Sequence, residues 1–271
     1  FRFGTRDGGF HALDLLYHDA DAPGRMVVPE IAGHALFQVA GLPDIQHGIV
    51  FAEQEAGCLA GIAAATVSKT GTISSVGGLK IPPVDAFIAG YQFCAKKLKP
   101  AIVTLNGYSQ DFVAQDKCKE VALNQIGQSS DVVFQVAGQC GLGAITAAAE
   151  SSVWGIGVDN DQSFLGPNVL TSAQKKVDVG VTQTIRLVQD DTFEGGVDGL
   201  FNVKNDGVGY GKVSAKAPNR TALIAKLNTW AKQIADGKVE REGPVVHVLA
   251  GRLADLSPLL GELPARSRDF H

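Results

Sequence analysis

From residue 49 to residue 158, the hydrophobic positions of this chain follow two alternating patterns. Short apolar runs that end in polar or Gly-rich turns are typical of buried strands. The longer segments between them have apolar residues on one face or on most sides, which is typical of helices. The predicted strands cover 49–51, 72–76, 101–105, 132–136 and 153–158, and the predicted helices cover 54–67, 84–98, 111–126 and 145–150. Strict alternation of strands and helices predicts an α/β fold with a parallel sheet and right-handed crossovers.

Outside this region the pattern is less regular. A hairpin is predicted over 199–210, because the turn signal Asn205-Asp206-Gly207 stands among residues that favour strands. The other predicted elements are helices over 10–17, 31–39, 176–189 and 221–235, and extended segments over 169–172 and 245–249.

Two strands of the predicted sheet end in residues suited to a small ligand. Gly138 follows the strand over 132–136, and Asp159 follows the strand over 153–158. In open α/β sheets, ligands bind outside the carboxyl ends of the strands. Gly138 and Asp159 are therefore predicted to outline a small-molecule pocket.

Composition narrows the function classes. Hydrophobic residues make up 45% of the chain and charged residues 19%, which is typical of globular proteins. The formal net charge is −4, and no run of Lys and Arg exceeds two residues. This distribution argues against a nucleic-acid partner. No apolar run approaches the roughly 18 residues that a membrane-spanning helix needs.

The four cysteines leave their chemistry open. Their sequence positions lack the Cys-x-x-Cys spacing of a zinc site, so we expect no metal. Pairing of all four allows three connectivities, and buried free thiols are an equal alternative. The cysteines are Cys58, Cys94, Cys118 and Cys140.

Seven short motifs follow one another between residues 45 and 240. In chain order they are Phe51-Ala52-Glu53-Gln54-Glu55-Ala56-Gly57, Ser68-Lys69-Thr70-Gly71, Val76-Gly77-Gly78, Phe87-x-x-Gly90-Tyr91, Ala137-Gly138, Gly157-Val158-Asp159-x-Asp161-Gln162 and Leu170-Thr171-Ser172-x-x-Lys175. In this order they resemble the basic membrane protein family of ABC-transporter solute-binding proteins, lipoproteins whose best-understood members bind purine nucleosides.

The resemblance implies the type I periplasmic-binding-protein fold. Two Rossmann-like lobes with parallel sheets are joined by a hinge, and the ligand lies in the cleft between them. The first lobe is expected to comprise 1–51 and 168–198 and to be shorter than in the family. The second lobe is expected to comprise 52–167 and 199–240, and the tail over 241–271 has no assigned place.

The resemblance also implies a set of ligand-binding residues. Asp159 and Lys175 match the residues that hold the ribose, while Val136 and Gly138 match the turn that lies against the ligand. A purine has a large π-face that stacks on aromatic rings, and ribose hydroxyls both donate and accept hydrogen bonds. Asp161 is the weaker acidic candidate and is expected to cap the following loop.

The base is expected to lie between two aromatic rings. Phe10 belongs to the segment that starts at Asp7 and resembles the family's first ligand loop, in which His11 replaces an Asn. Phe112 is the favoured second aromatic residue, and Tyr108 is its alternative. Core packing is an alternative role for Phe112.

The resemblance implies an extracytoplasmic monomer, periplasmic or lipid-anchored, that delivers a purine nucleoside such as adenosine or guanosine to an ABC permease without a cofactor. Other ligands for the same fold are a sugar, riboflavin or another heterocycle. An enzyme, such as a hydrolase acting on a nucleoside or sugar, is the alternative class. The sequence contains no Gly-x-Ser-x-Gly, His-Glu-x-x-His or P-loop motif, so no catalytic residue is expected.

Overall fold

The structure, a computed structural model, describes residues 47–239 and, as backbone, four short strands within 26–39. The strands are β1 (Met26–Val27), β2 (Glu30–Ile31), β3 (His34–Leu36), β4 (Gln38–Val39), β5 (His47–Phe51), β6 (Thr72–Gly77), β7 (Val103–Tyr108), β8 (Val132–Val136), β9 (Trp154–Asp159), β10 (Val169–Lys175), β11 (Val197–Phe201) and β12 (Val208–Tyr210). The helices are α1 (Glu53–Val67), α2 (Pro82–Leu98), α3 (Gln115–Gly127), α4 (Gly141–Glu150), α5 (Val177–Gln189) and α6 (Arg220–Ala235), with a short 3-10 turn at Ser163–Leu165.

The larger sheet has six strands in the order β12-β10-β9-β8-β6-β7. All of its neighbouring pairs are parallel except β12 with β10. Successive side chains of a strand point to opposite faces. Val133 accordingly belongs to a core formed with α3 and α4, whereas Phe134 packs on Phe87 and Tyr91 of α2. This two-sided covering confirms the predicted parallel α/β architecture.

Small residues allow α1 and α2 to pack closely. A Cβ atom at Gly57 would lie 2.1 Å from the Phe87 carbonyl oxygen, and one at Gly61 would lie 2.1 Å from that of Tyr91. A disulfide between Cys58 and Cys94 joins the same two helices.

The cysteines that the sequence left open are all paired. Cys118 of α3 forms the second disulfide with Cys140, which immediately precedes α4. Each disulfide therefore joins two neighbouring helical segments. The pair Cys58–Cys94 lies on the face of the larger sheet that carries Phe134, and the pair Cys118–Cys140 lies on the face that carries Val133.

The smaller sheet has the order β11-β5-β3-β2. β11 runs parallel to β5, and β3 runs antiparallel to it. α5 packs closely on this sheet, because a Cβ at Gly180 would lie 2.8 Å from Ile49 and 3.3 Å from Phe51.

The chain passes between the two sheets three times, in what we call the crossing segments. They lead from β5 to α1, from β10 to α5 and from β11 to β12. The first and third are joined by a hydrogen bond from Ala52 N to Phe201 O of 2.8 Å, and the second and third by one from Lys176 N to Gly207 O of 2.9 Å. Three adjacent crossings agree with the expected hinge. The division into two lobes stays a prediction.

The predicted helix over 31–39 is wrong. This segment contains β3 and β4, and β3 pairs with β5 through Ala35 opposite Ile49 and Leu36 opposite Gly48. Local helical preference is overridden because strand preference depends strongly on the available pairing partner. The predicted elements over 10–17 and 245–249 lie outside the described residues.

The predicted hairpin over 199–210 is also wrong, although its turn is present. Asn205 Nδ2 donates to Leu200 O at 2.7 Å, and Asn205 Oδ1 accepts from Asn202 N at 2.7 Å. The flanking strands then diverge, since β11 joins the smaller sheet and β12 the larger. β10 lies in the larger sheet through its parallel pairing with β9, and the lobe boundary expected at 168 stays a prediction.

Candidate functional site

The carboxyl edge of the larger sheet brings together the site residues that the structure describes. Val136 ends β8, Asp159 ends β9 and Lys175 ends β10. Asp159 lies opposite Gln174 in the parallel register, so Lys175 is only one position further along the neighbouring strand. Phe112 follows β7 at the same edge.

The expected first ligand loop is the part of the site that the structure does not describe. Asp7, Phe10 and His11 lie outside the described residues, and their place in the site stays a prediction.

Asp159 lies at the centre of a tight backbone turn. Its φ is +63°, and Asn160 N donates to Val158 O at 2.8 Å across it. The residue has an accessible surface. Desolvation by the surrounding protein nevertheless raises the pKa of Asp159, and the charge of Lys175 lowers it in part. Asp159 nevertheless belongs to the exposed residues, and its carboxylate oxygens can accept hydrogen bonds.

Lys175 is held by two residues that the sequence did not assign to the site. Its Nζ lies 3.3 Å from Oε1 of Glu53 and 5.4 Å from the centroid of the Phe51 ring. Both partners come from the first crossing segment. They belong to the motif Phe51-Ala52-Glu53-Gln54-Glu55-Ala56-Gly57, in which an acidic residue stands two positions after a strand end, and this was the available signal.

Glu53 is almost fully enclosed, since its side chain is 8% exposed. Burial raises the pKa of Glu53, while Lys175 opposes this shift by charge and hydrogen bonding. The nearby charge of Asp159 contributes a further, smaller increase. The three side chains thus influence one another as a cluster of two carboxyl groups and one ammonium group.

This cluster presents both acceptors and donors at the sheet edge. Asp159 offers carboxylate oxygens, and Lys175 offers ammonium hydrogens that Glu53 only partly uses. With all three groups ionised, the net charge is negative. Such a set suits neutral hydroxyl groups, which donate and accept, and disfavours an anionic ligand group.

Phe112 lies at the carboxyl edge of the larger sheet, where its ring packs against the backbone of Gly78 and Gly138. A Cβ at Gly78 would lie 2.3 Å from Cε1 of Phe112, and one at Gly138 would lie 3.7 Å from its Cδ1. The backbone is fixed by a hydrogen bond from Cys140 N to Phe112 O of 2.9 Å. One flank of the ring thus packs on glycine backbone, and the residue as a whole is half-buried.

Tyr108, the alternative aromatic residue, is engaged elsewhere. Its hydroxyl donates to Asp85 Oδ1 at 2.5 Å, and Lys80 Nζ lies 5.5 Å from the centroid of its ring. The geometry therefore favours Phe112 as the ring nearest to the turn at Gly138.

Val136 and Gly138 are the remaining expected ligand-contact positions that the structure describes. Val136 is 4% exposed, and its carbonyl accepts from Gly78 N at 3.0 Å. Gly138 is exposed with a φ of +55°, a conformation that glycine adopts without a steric penalty. Because glycine has no Cβ, a ligand can approach the backbone of this turn closely.

Asp161 caps the loop that follows β9, as the sequence predicted. Its carboxylate accepts from Ser163 N at 3.1 Å and from Ser163 Oγ at 3.2 Å. These bonds direct its oxygens to the 3-10 turn that begins at Ser163. Between residues 47 and 239, no helix combines the length and the apolar character of a membrane span.

Comparisons with known proteins match the same part of the chain. The sequence model of the Bmp family, described as ABC transporter substrate-binding protein PnrA-like, matches residues 46–240. The ABC transporter nucleoside-binding protein BmpA of Lactococcus lactis subsp. cremoris is 34% identical over 207 residues, which cover 70% of this chain and 58% of that protein. Basic membrane protein D of Borreliella burgdorferi is 33% identical and covers 74% of this chain and 60% of that protein.

A solved structure shares the fold. An ABC transporter solute-binding protein from Aeropyrum pernix K1 superposes with a TM-score of 0.63 at 22% identity, covering 74% of this chain and 67% of that chain. The chain spans roughly three fifths of the length of the two curated relatives, with 58% and 60% covered.

Proposed function

Because the chain belongs to the PnrA-like family of ABC transporter substrate-binding proteins, we propose that it captures a purine nucleoside such as adenosine or guanosine and delivers it to an ABC permease. No bond is made or broken in this function. The nucleoside lies in the cleft at the carboxyl edge of the larger sheet.

The observation that carries the proposal is the cluster at the ends of β9 and β10. Asp159 accepts hydrogen bonds from the ribose hydroxyls, and Lys175 donates to their oxygens. Glu53 holds Lys175 from the buried side at 3.3 Å. A neutral vicinal diol fits this combination, since each hydroxyl both donates and accepts.

Phe112 supplies a stacking surface for the base. Its ring is supported on one flank by Gly78, and the residue is only half-buried, which supports stacking of a flat heterocycle on the ring. Phe10 is proposed as the opposite ring, with Asp7 and His11 from the same loop contacting the base. Val136 and Gly138 form the floor.

The disulfides support an extracytoplasmic location. Two disulfides in one chain, Cys58 with Cys94 and Cys118 with Cys140, are typical of oxidising compartments and rare in the cytosol. We propose a periplasmic or lipid-anchored monomer, in keeping with delivery to a membrane permease.

A sugar or another ribosylated heterocycle is the second candidate ligand. Asp159, Lys175 and Glu53 are suited to hydroxyl groups in general and carry no preference for a purine. The choice between these ligands depends on the aromatic side of the site.

The proposal is tested with a thermal-shift panel of adenosine, guanosine, inosine, cytidine, riboflavin and common sugars. A ligand at a hundred times its Kd adds roughly 2.7 kcal/mol of stability. We expect the purine nucleosides to raise the melting temperature most. A response to sugars alone would favour the second candidate, and no response to any compound would contradict both.

Isothermal titration calorimetry on Asp159→Ala then assigns the site. We expect nucleoside affinity to fall at least about tenfold, or ~1.4 kcal/mol. Asp116→Ala, which removes an exposed carboxylate in the first turn of α3, is the matched control and leaves affinity unchanged. Equal affinity for the two variants would remove Asp159 from the site.

A further inference from the structure

We propose that Gln135 and Gln162 form a positioning pair that fixes the two turns of the ligand site at Gly138 and Asp159. This inference rests on the proposed function, because it concerns the same site. Neither glutamine was assigned to the ligand, and their amides instead connect the backbone of one turn to that of the other.

The hydrogen bonds of the pair reach the residue directly before each turn. Gln135 Nε2 donates to Gln162 Oε1 at 2.8 Å, and Val158 N donates to the same oxygen at 3.3 Å. Gln135 Oε1 accepts from Ala137 N at 3.1 Å. Ala137 precedes Gly138 and Val158 precedes Asp159. The two glutamine side chains therefore fix the backbone directly before both turns.

The turn at Asp159 has a backbone conformation that needs support, whereas the turn at Gly138 uses a glycine, for which positive φ carries no steric penalty. The φ angles are +55° at Gly138 and +63° at Asp159. Positive φ is uncommon for a residue with a Cβ, and a three-residue turn with positive φ at its centre is rare and strained. Such conformations persist where the surrounding structure fixes them. Asp159 therefore depends on its neighbours to present its carboxylate.

The backbone makes room for both amides. A Cβ at Gly141 would lie 1.8 Å from Gln135 Oε1, and one at Gly157 would lie 2.5 Å from Gln162 Oε1. Gln135 is fully buried. The glycines at these two positions thus allow a polar pair to occupy an otherwise closed space.

The pair also extends to the strand that carries Lys175. Gln162 N donates to Ser172 Oγ at 3.0 Å, and Ser172 is fully buried in β10. The network therefore links the ends of β8 and β9, next to Gly138 and Asp159, to β10 at a position three residues before Lys175.

The experiment compares three single variants. Gln162→Met keeps the side-chain length but removes the acceptor oxygen, whereas Gln162→Glu keeps an acceptor for both donors. Gln125→Met is the matched control, because Gln125 is also buried and donates to Ser75 O at 2.9 Å in β6. In calorimetry, we expect Gln162→Met to weaken nucleoside binding about tenfold. Gln162→Glu is expected to keep most of the wild-type affinity. Gln125→Met is expected to change only the stability of the protein.

A double-mutant cycle separates positioning from general destabilisation. In the Asp159→Ala background, Gln162→Met is expected to cost little further affinity, because it acts through the turn at Asp159. Equal affinity loss in Gln162→Met and Gln125→Met, or fully additive losses in the cycle, would overturn the proposal.

Hydrogen exchange tests the pair without any ligand, so its failure can be told from failure of the proposed function. We expect the Val158 amide to exchange faster in Gln162→Met than in wild type and to be unchanged in Gln125→Met. Unchanged protection in Gln162→Met would overturn the positioning role, whichever ligand the protein binds.

Discussion

Nζ of Lys175 lies 3.3 Å from Oε1 of Glu53, and this ion pair joins the first crossing segment to the second. The side chain of Glu53 is 8% exposed and that of Lys175 is 22% exposed. Because a largely enclosed charge is costly without its partner, each residue constrains the position of the other. A ligand that contacts Lys175 therefore acts on both crossings at once.

The raised pKa of Glu53 leads us to expect a specific dependence of protein stability on pH. Burial raises the pKa of Glu53 above 4.5, so the folded protein retains a proton that the unfolded chain has released. The linked stability is complete below pH 4.5 and is lost as pH rises through the folded-state pKa. In urea denaturation at a series of pH values, we expect the unfolding free energy of Glu53→Gln to increase relative to wild type as pH rises from about 4 to about 7.

Asp111→Asn is the control with the opposite sign. Hydrogen bonds from Lys117 Nζ and from the backbone N–H groups of Ala114 and Val113 hold the pKa of Asp111 well below its usual range. The stability linked to this group is present above pH 3.8 and is lost as pH falls. Relative to wild type, Asp111→Asn is therefore expected to lose stability as pH rises through the acid range up to about 4, in the same urea experiment extended to about pH 2, and to change little between about 4 and about 7. The same trend in both variants would contradict the assignment.

Lys175 and Lys176 provide a matched pair for testing the site. Lys175 faces Glu53, whereas Lys176 pairs with Asp206 at the surface. We expect Lys175→Met to weaken nucleoside binding at least about tenfold in calorimetry, since a charged donor to the ribose is lost. Lys176→Met is expected to bind like wild type. Comparable weakening in both variants would mean that the lysines act through general charge.

The larger sheet was predictable because its signal is local. β8 was predicted with its observed bounds, Val132–Val136, since its apolar run is bounded by polar residues and a glycine turn. The start of α3 was misplaced because Asp111 Oδ1 accepts from Val113 N and Ala114 N before the helix begins at Gln115. In the smaller sheet, the prediction over 49–51 found part of β5, whereas β3 was missed because it acquires its conformation by pairing with β5, which local periodicity does not encode.

The site was predictable only in part. Asp159 and Lys175 match family motifs, and their proximity follows from the parallel register of β9 and β10. Glu53 was not predicted because its contact with Lys175 spans 122 residues and depends on two crossing segments meeting. The pairing of Gln135 with Gln162 was missed for the same reason, since it joins side chains from two strand ends.

Substitution of Gly78 by alanine tests the aromatic side of the site, where the Phe112 ring packs on this glycine. A Cβ at this position would lie 2.3 Å from Cε1 of Phe112, so Gly78→Ala must displace the ring. We expect weaker nucleoside binding and a stability loss of about 1–3 kcal/mol from overpacking. Calorimetry and denaturant unfolding measure the two effects.

Gly127→Ala is the control for this substitution. Gly127 ends α3 and has no atom within 4 Å of its would-be Cβ. We expect this variant to match wild type in affinity and to gain up to about 1 kcal/mol in stability, since alanine restricts the unfolded chain more than glycine does. Undiminished affinity in Gly78→Ala would show that the ligand does not depend on the position of Phe112.

The disulfide between Cys58 and Cys94 is expected to stabilise the packing of α1 on α2. It closes a loop with a sequence separation of 36 residues, and that between Cys118 and Cys140 closes one of 22. Each disulfide lowers the entropy of the unfolded chain and is expected to stabilise the folded protein by about 3–4 kcal/mol. We expect Cys58→Ala combined with Cys94→Ala to lower the melting temperature and to make it less sensitive to dithiothreitol. Wild-type stability unchanged by complete reduction would contradict a stabilising role.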